Sequence, residues 1–361
     1  MSYAALFAFP VAAAALALNG HSLAAETAVP PGWSSQAPPT TTEADSRMIT
    51  VLTYNVRGLP WPLALNRAKR LREIGHELAR LRGEGRQPTV VLIQEGFRQE
   101  VADLIEASGY AYSTPGPSRA EPSSYPASGD GLRFGGPRYL IRGEGWGKFT
   151  SAGLYILSDL PIVDVRRMAY RYCAGWDCLA NKGALWARLR LAGGPVEVDV
   201  VNTHMNAKSA SGVPRLRTLQ VHQLQTDELL RFIDDNRSDR PLVIGGDFNV
   251  KNAPERYDYK SASRPYAVVS EFCSRPENGC GYETTPGPGK PWLRSQDLQG
   301  FIRRGAVKVL PETSATLFAS DEGRGTLSDH AGYLVRYRLS WNGDAMAAAE
   351  KAIAVDASMA P

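Results

Sequence analysis

The sequence predicts an α/β (α+β) chain in which two mostly antiparallel sheets pack face to face and carry helices on their outer sides. Three observations predict it. Strand-like runs outnumber helix-like runs along the 361 residues. Two neighbouring runs, GALWARLRL and VEVDVVNTH, are separated only by the turn AGGP and read as a hairpin. Helical periods fall between some strands but not all of them. That pattern fits two sheets with outer helices better than a doubly wound parallel sheet.

The composition allows such a core. Apolar residues make up 43% and charged residues 22%, too few charges for a disordered chain. The formal charge of +4 weakly favours an anionic partner and does not single out nucleic acid. At the N-terminus, YAALFAFPVAAAALAL is followed by small residues up to Ala25. An apolar run with such an exit predicts a signal peptide over residues 1–25, and therefore a secreted or periplasmic protein. No other apolar run approaches the length of a bilayer span. Residues 26–47 are rich in Pro, Ser and Thr and read as a linker.

The folded domain is expected over 48–341. MITVLTYNV is rich in β-branched residues and reads as its first strand. Ala68, Leu71, Ile74, Leu78 and Leu81 recur at helical spacing, with the basic residues between them on a solvated face. TVVLIQE is a short continuous apolar run, the mark of a strand buried on both sides. A short helix around Val101, Leu104 and Ile105 follows. Residues 114–147, rich in Gly, Pro and Ser, read as a long surface loop. Strands are then expected at AGLYILS, PIVDVRRM and the hairpin. In the first hairpin strand, Leu185, Ala187, Leu189 and Leu191 alternate against Trp186, Arg188 and Arg190. A helix from Arg215 to about Asp235 leads into the strand LVIGGDFN. A loop containing TTPGPGKPW precedes the strand AVKVL. The last strand, AGYLVRYRL, places Tyr333, Val335, Tyr337 and Leu339 on one side. An Ala-rich tail, 342–361, closes the chain.

The four cysteines form two local groups, Cys173 with Cys178 and Cys273 with Cys280. Two short disulfide loops are the expected arrangement, each contributing about 2 kcal/mol, although four cysteines allow three connectivities.

Polar groups recur where apolar strands end. Asn55, Glu95 and His204 close three runs, Asp247 and Asn249 close LVIGGDFN, and Asp329 and His330 precede the last strand. Strand ends are rigid platforms from which such groups can converge on one mouth. Residues two apart on a strand point the same way, so Asp247 and Asn249 are expected side by side. The two glycines before them allow a bulge or a close backbone approach. Each group alone is more commonly a turn former, a solvated acid or a core histidine. Together they make a constellation.

TYN, QE, NTH, GDFN and SDH occur in this order, and in this order they resemble the endonuclease/exonuclease/phosphatase superfamily, the fold of DNase I. The resemblance runs from about residue 48 to 339. It implies a four-layer α/β sandwich and magnesium-dependent attack on phosphoesters. SAGLYILSDLPI, NKGALWARLRL and NTHMNA are similar to segments of the neutral sphingomyelinase branch.

Roles follow from chemistry within that resemblance. Mg²⁺ takes oxygen ligands and keeps several waters, so few protein ligands are needed; Mn²⁺ can substitute. Glu95 supplies the charged ligand and Asn55 a neutral oxygen. Asp247 takes a proton from the attacking water and Asn249 orients that water or a phosphate oxygen. His204 and His330 donate to the phosphate or the leaving group. Asp297 matches the position of the family's Asp before a strand and would hold the His330 tautomer, with Asp329 binding metal or positioning His330. Whether Asp247 or His330 is the base stays open at this level.

The leading expectation is thus an exported, monomeric phosphodiesterase similar to sphingomyelinase C, acting on a phospholipid at a membrane surface. An extracellular nuclease is the second reading, since KPWLRSQDLQGFIRRGAVK carries five basic residues against one acid. A non-catalytic binding module that kept the fold is the third. A lipid-directed enzyme should also expose an aromatic beside its site, and Trp61, Trp146 and Trp292 lie in loops where this can be met.

Overall fold

The computed structural model describes residues 46–59, 66–126, 137–191, 196–283, 289–303, 305, 307–319 and 327–341. The expected signal segment, nearly all of the linker, the tail and Trp61 lie outside these residues. Two mixed sheets form the centre, of seven and six strands.

In the first sheet, β1 (Ser46–Asn55) lies between β13 (Gly332–Ser340) and β2 (Val90–Gln94). Beyond β13 lie β12 (Lys308–Leu317) and β10 (Gly281–Tyr282); beyond β2 lie β4 (Tyr155–Ser158) and β3 (Tyr112–Pro115). The second sheet runs β5 (Ile162–Ala169), β6 (Gly183–Arg190), β7 (Glu197–His204), β8 (Leu242–Asp247), β11 (Asp297–Ile302) and β9 (Ala267–Val268). Antiparallel pairing dominates. The parallel pairs are β1 with β2, β7 with β8, and β10 with β12. The expected hairpin is β6 with β7, and it pairs from Ala184 opposite Thr203 to Arg190 opposite Glu197.

Alternation builds the layers. One side of β6 sends Leu185, Ala187 and Leu189 between the sheets, into the core that Ile156 of β4 and Val335, Tyr337 and Leu339 of β13 also line. The other side sends Trp186 outward onto Phe232 and Ile233 of α3 (Arg215–Asn236). On the first sheet, Leu71, Ile74, Leu78 and Leu81 of α1 (Arg67–Gly83) and Leu104 of α2 (Val101–Ser108) cover Leu52, Tyr54, Val91 and Ile93. The order is helix, sheet, sheet, helix, the four layers that the family resemblance implies. Among the described residues no helix is long and apolar enough to cross a membrane.

Departures from expectation are local. Four strands were not legible, two of them the two-residue β9 and β10. Tyr112–Pro115 forms the edge strand β3 at the start of the expected loop 114–147, and DLQGFI forms β11, buried throughout. Gln299 inside β11 would be costly there without partners. Its amide Nε2 donates to Val51 O (2.9 Å) and Tyr333 O (2.8 Å), and its Oε1 accepts from Tyr337 Oη (3.0 Å). Asn202 makes the same kind of bridge, donating to Ile93 O (2.8 Å) and Tyr155 O (2.9 Å). These two amides tie one sheet to the other close to the strand ends. Arg67 also departs from the expected solvated face of α1. It is buried, and it donates to Val56 O (2.6 Å), Arg57 O (2.8 Å) and Leu327 O (2.7 Å), so it fixes the chain leaving β1 against the chain entering β13.

Both disulfides are the local ones, Cys173–Cys178 and Cys273–Cys280. Each closes a loop that leaves a sheet.

Candidate active site

Register collects the polar strand ends. His204 of β7 lies opposite Asp247 of β8, and Asp247 lies opposite Asp297 of β11. In the facing sheet Asn55 of β1 lies opposite Gln94 of β2, with Glu95 the next residue. The sheets therefore present their carboxylates at one common edge.

The two glycines of LVIGGDFN have distinct jobs. A Cβ on Gly245 would stand 2.4 Å from Thr53 Oγ1 and 2.7 Å from Leu92 Cδ1, both on the opposite sheet. Gly246 has φ of 152°, and a Cβ there would stand 2.0 Å from Thr203 O. Close approach of sheet to sheet, and of β8 to β7, requires them.

Asp247 is the last residue of β8 and is buried. Its Oδ1 accepts the backbone N–H of Asn249 (3.0 Å) and its Oδ2 accepts Asn55 Nδ2 (3.0 Å). Asn249 therefore does not sit beside Asp247 by strand alternation. It has left the strand with φ of 53°, and its side chain donates to Met205 O (2.9 Å). The carboxylate and the following turn hold each other, as Asx turns do. Arg57 and Glu95 share this left-handed conformation, with φ of 48° and 58°. Three non-glycine residues in a sparsely populated region within one site mark a backbone held in place by its surroundings.

Asn55 bridges the carboxylates. Its Nδ2 donates to Glu95 Oε1 and Asp247 Oδ2, each at 3.0 Å, while its Oδ1 accepts Arg57 N (3.0 Å). Burial pushes the Glu95 carboxyl up, with the Asp247 charge adding to it. Burial, then the charge of Asp297, pushes Asp247 up to about 6.

His330 approaches from the loop before β13. Its Nδ1 lies 2.7 Å from Asp297 Oδ2, and its Nε2 lies 4.0 Å from Asp247 Oδ2. Burial works against the imidazolium, but the Asp297 hydrogen bond and charge, then Asp247, outweigh it and raise His330 to about 10. Burial lifts the Asp297 carboxyl above the usual range, and the His330 contact pulls against that lift. The structure thus brings Asp297 into hydrogen-bond contact with His330 Nδ1.

Asp329 does not join them. It was expected to bind metal or position His330. Instead it is half-exposed and pairs with Arg57 Nε at 3.3 Å. His330 takes Asp297 as its side-chain partner, and the Asp329 charge only adds to the pull of Asp297 and Asp247 on the imidazole.

The residue that sequence reasoning missed is Lys182, buried immediately before β6. Its Nζ lies 2.6 Å from Asp177 Oδ1 and donates to His204 Nε2 (2.9 Å) and Met205 O (3.2 Å). Burial, then the Lys182 charge, pushes His204 well below its ordinary range. A neutral His204 that accepts at Nε2 carries its proton on Nδ1. Lys182, rather than His204, is therefore the cation on this wall.

The donor set fits a hard divalent cation. Glu95, His204 and Asp247 each offer an atom within 4.8 Å of the others, and so do Asp247, Asp297 and His330. Asp297 has His330 as its cation and Asp177 has Lys182. Glu95 and Asp247 share the neutral amide of Asn55, and the neutral His204 Nε2 stands 4.0 Å and 3.5 Å from them, so this oxygen pair is left for a metal to neutralise.

Comparison places this arrangement. Over 236 residues the chain is 28% identical to a sphingomyelinase of Mycobacterium bovis, covering 64% of this chain and 39% of that protein's length. In fold it is similar to sphingomyelinase C from Streptomyces griseocarneus, with a TM-score of 0.55 and 20% identity over 82% of this chain and all of that one. A beta toxin from Staphylococcus aureus with bound magnesium ions also has a TM-score of 0.55, at 17% identity over 82% of this chain and all of that one. Residues 52–330 match the pattern of the Endonuclease/Exonuclease/phosphatase family, and the chain belongs to that family.

Proposed function

We propose that the chain is a divalent-metal-dependent phosphodiesterase that releases a phosphorylated head group from a sphingomyelin-like phospholipid. The observation that carries the reading is the placement of Asp247 between two groups of opposite kind: the Glu95–Asn55 pair on one side and the His330–Asp297 pair on the other. The lipid substrate is supported by the sphingomyelinase relatives, of which the chain spans 39% of the length.

Glu95 would hold Mg²⁺ or Mn²⁺ and supply the charge; Asn55, whose Oδ1 accepts from Arg57 N instead of facing the ion as expected of it, would serve by positioning the Glu95 and Asp247 carboxylates. When bound, such an ion draws charge from the phosphate and makes phosphorus more open to attack. The chain's own residues divide the proton work. His330, held cationic by Asp297, cannot serve as a base near neutral pH. Asp247, ionised above about 6, takes a proton from water as the new oxygen–phosphorus bond forms. His330 gives its Nε2 proton to the leaving oxygen as the old phosphorus–oxygen bond breaks. Lys182 adds fixed positive charge on the His204 wall, where a developing phosphoryl charge needs it. Asn249 keeps the Asp247 carboxylate oriented through its backbone N–H.

We also read the protein as exported, to the periplasm or the medium. Two closed disulfides agree with an oxidising compartment. The deciding experiment is a phosphoester panel with and without EDTA: sphingomyelin, phosphatidylcholine, plasmid DNA, inositol phosphates and bis-p-nitrophenyl phosphate. Cleavage of plasmid DNA in preference to both lipids would replace the lipid reading with the nuclease one. No cleavage of any member would favour a binding module.

A further inference from the structure

Large apolar side chains are distributed unevenly over the surface. Among the described residues, those more than half exposed are Leu140, Ile141, Trp146, Phe149 and Leu216, with fractional exposures of 54–80%. Trp176, at 37%, joins them. All six lie on three segments, 137–150, 173–180 and 207–217, that are fastened to one another.

The fastening is specific. The buried carboxylate of Glu144 accepts from Tyr139 N (3.0 Å), Gly175 N (3.0 Å) and both Arg217 Nε (2.7 Å) and Arg217 Nη2 (2.5 Å), so one side chain ties all three segments. Trp176 N donates to Ser211 O (2.9 Å) and Phe149 N to Leu179 O (2.7 Å). The rings of Trp146 and Trp176 meet edge to face with centroids 6.1 Å apart. The Cys173–Cys178 bond closes the loop that carries Trp176. The apolar groups are therefore held outward by a built platform, and binding through them costs little ordering entropy.

Charge on the platform has one sign where it meets water. Arg138, Arg142 and Arg215 are exposed. The two carboxylates of these segments are both committed inward, Glu144 to Arg217 and Asp177 to Lys182. An exposed apolar patch of this kind marks an interaction surface. Amphipathic indoles beside arginines suit the boundary between acyl chains and anionic head groups. We propose that this platform docks the protein on a lipid bilayer bearing anionic head groups. It deepens the phospholipid reading above and rests on it for its purpose. Trp176 precedes Asp177, whose partner Lys182 lies against His204, so docking sets the bilayer on the flank of the site itself.

The test is sedimentation of the full chain with vesicles of phosphatidylcholine and phosphatidylglycerol, in EDTA so that no turnover occurs. Trp146→Ala with Phe149→Ala should weaken binding by about tenfold or more, and Arg138→Glu with Arg142→Glu should weaken it on these vesicles but not on pure phosphatidylcholine. Val163→Ser, an exposed apolar change outside the platform, should leave binding unchanged. Hydrolysis of bis-p-nitrophenyl phosphate should stay within about twofold of the unaltered protein in all these variants, which shows that they fold. Vesicle binding that survives both platform variants overturns the proposal. So does a dimer in analytical ultracentrifugation that the platform variants dissociate, if the unaltered chain does not bind vesicles. Failure to hydrolyse any phosphodiester, with vesicle binding lost in the platform variants, would overturn the phosphodiesterase reading and uphold the docking surface.

Discussion

Asp297 Oδ2 stands 2.7 Å from His330 Nδ1, and this contact decides which end of the imidazole carries a proton toward Asp247. With Nδ1–H given to Asp297, the cation presents Nε2–H on the site side. Asp297 itself belongs to β11 and His330 to the loop before β13, so the pair also joins the two sheets at their common edge.

The first prediction concerns that pair. His330 has its raised value of about 10 because Asp297 and Asp247 outweigh burial. Asp297→Asn removes the main opposing charge and leaves burial in place. The alkaline limb of the pH–rate profile should then move down by about two pH units or more, and turnover at neutral pH should fall by about a hundredfold. The sign for stability follows from the same shift. The pairing stabilises fully below the unfolded imidazole value of 6.5 and is lost as pH rises through about 10. An unmoved alkaline limb in Asp297→Asn would assign that limb to another group.

The second concerns the metal. Few protein oxygens face the proposed ion, so it should be held weakly and removed by EDTA, with Mg²⁺ or Mn²⁺ restoring activity. Glu95→Gln keeps the shape and the Asn55 contact but removes the charge. The metal concentration for half-activity should rise by about tenfold or more, with smaller change in turnover at saturation. Full activity after exhaustive EDTA treatment would contradict the assignment.

Most of this site was legible because each of its polar groups terminates an apolar run, and a sheet carries such ends to one edge. Asn55, Glu95, His204 and Asp247 were found this way. What stayed hidden has physical reasons. Lys182 lies in NKGALWARLRL, a segment singled out by resemblance but given no role, because its partners Asp177 and His204 come from a disulfide loop and a different strand. β11 was missed because Gln299 and Gly300 interrupt DLQGFI, and only the carbonyls of Val51 and Tyr333 on the other sheet make a buried glutamine tolerable. Asp329 was misplaced because sequence adjacency to His330 says nothing of direction, and Arg57 draws it outward. Of the loop tryptophans, Trp146 is exposed, whereas Trp292 is half-buried with its ring centroid 6.1 Å from that of Tyr257.

The third prediction concerns Lys182. Its ammonium is enclosed by Asp177, His204 and Met205 O, so it is positioned rather than mobile. Lys182→Met keeps length and apolar bulk but removes the charge. Turnover should fall by about ten- to a hundredfold. Freed of Lys182, His204 should titrate higher than before, although burial still holds it down, and NMR of the imidazole can read this. Normal turnover would confine Lys182 to a structural part in holding the loop of Asp177.

The last prediction returns to the glycine pair of LVIGGDFN and separates its two tasks. At Gly245 the obstruction is two side-chain atoms of the facing sheet, Thr53 Oγ1 and Leu92 Cδ1. Side chains can turn aside, so Gly245→Ala should fold, with a loss of about 1–3 kcal/mol in urea unfolding from overpacking. At Gly246 the obstruction is backbone, Thr203 O at 2.0 Å, and φ is 152°, a region open to little besides glycine. β8 cannot both keep its register with β7 and accept a Cβ there, so Gly246→Ala should cost more than Gly245→Ala. Asp247 follows immediately and owes its position opposite His204 to that register. Turnover in Gly246→Ala should therefore fall even at temperatures where the variant is fully folded, while Gly245→Ala should keep most of its activity. Equal losses of stability and activity in the two variants would mean that β8 yields to either Cβ in the same way, and that the close approach to β7 is not what aims Asp247.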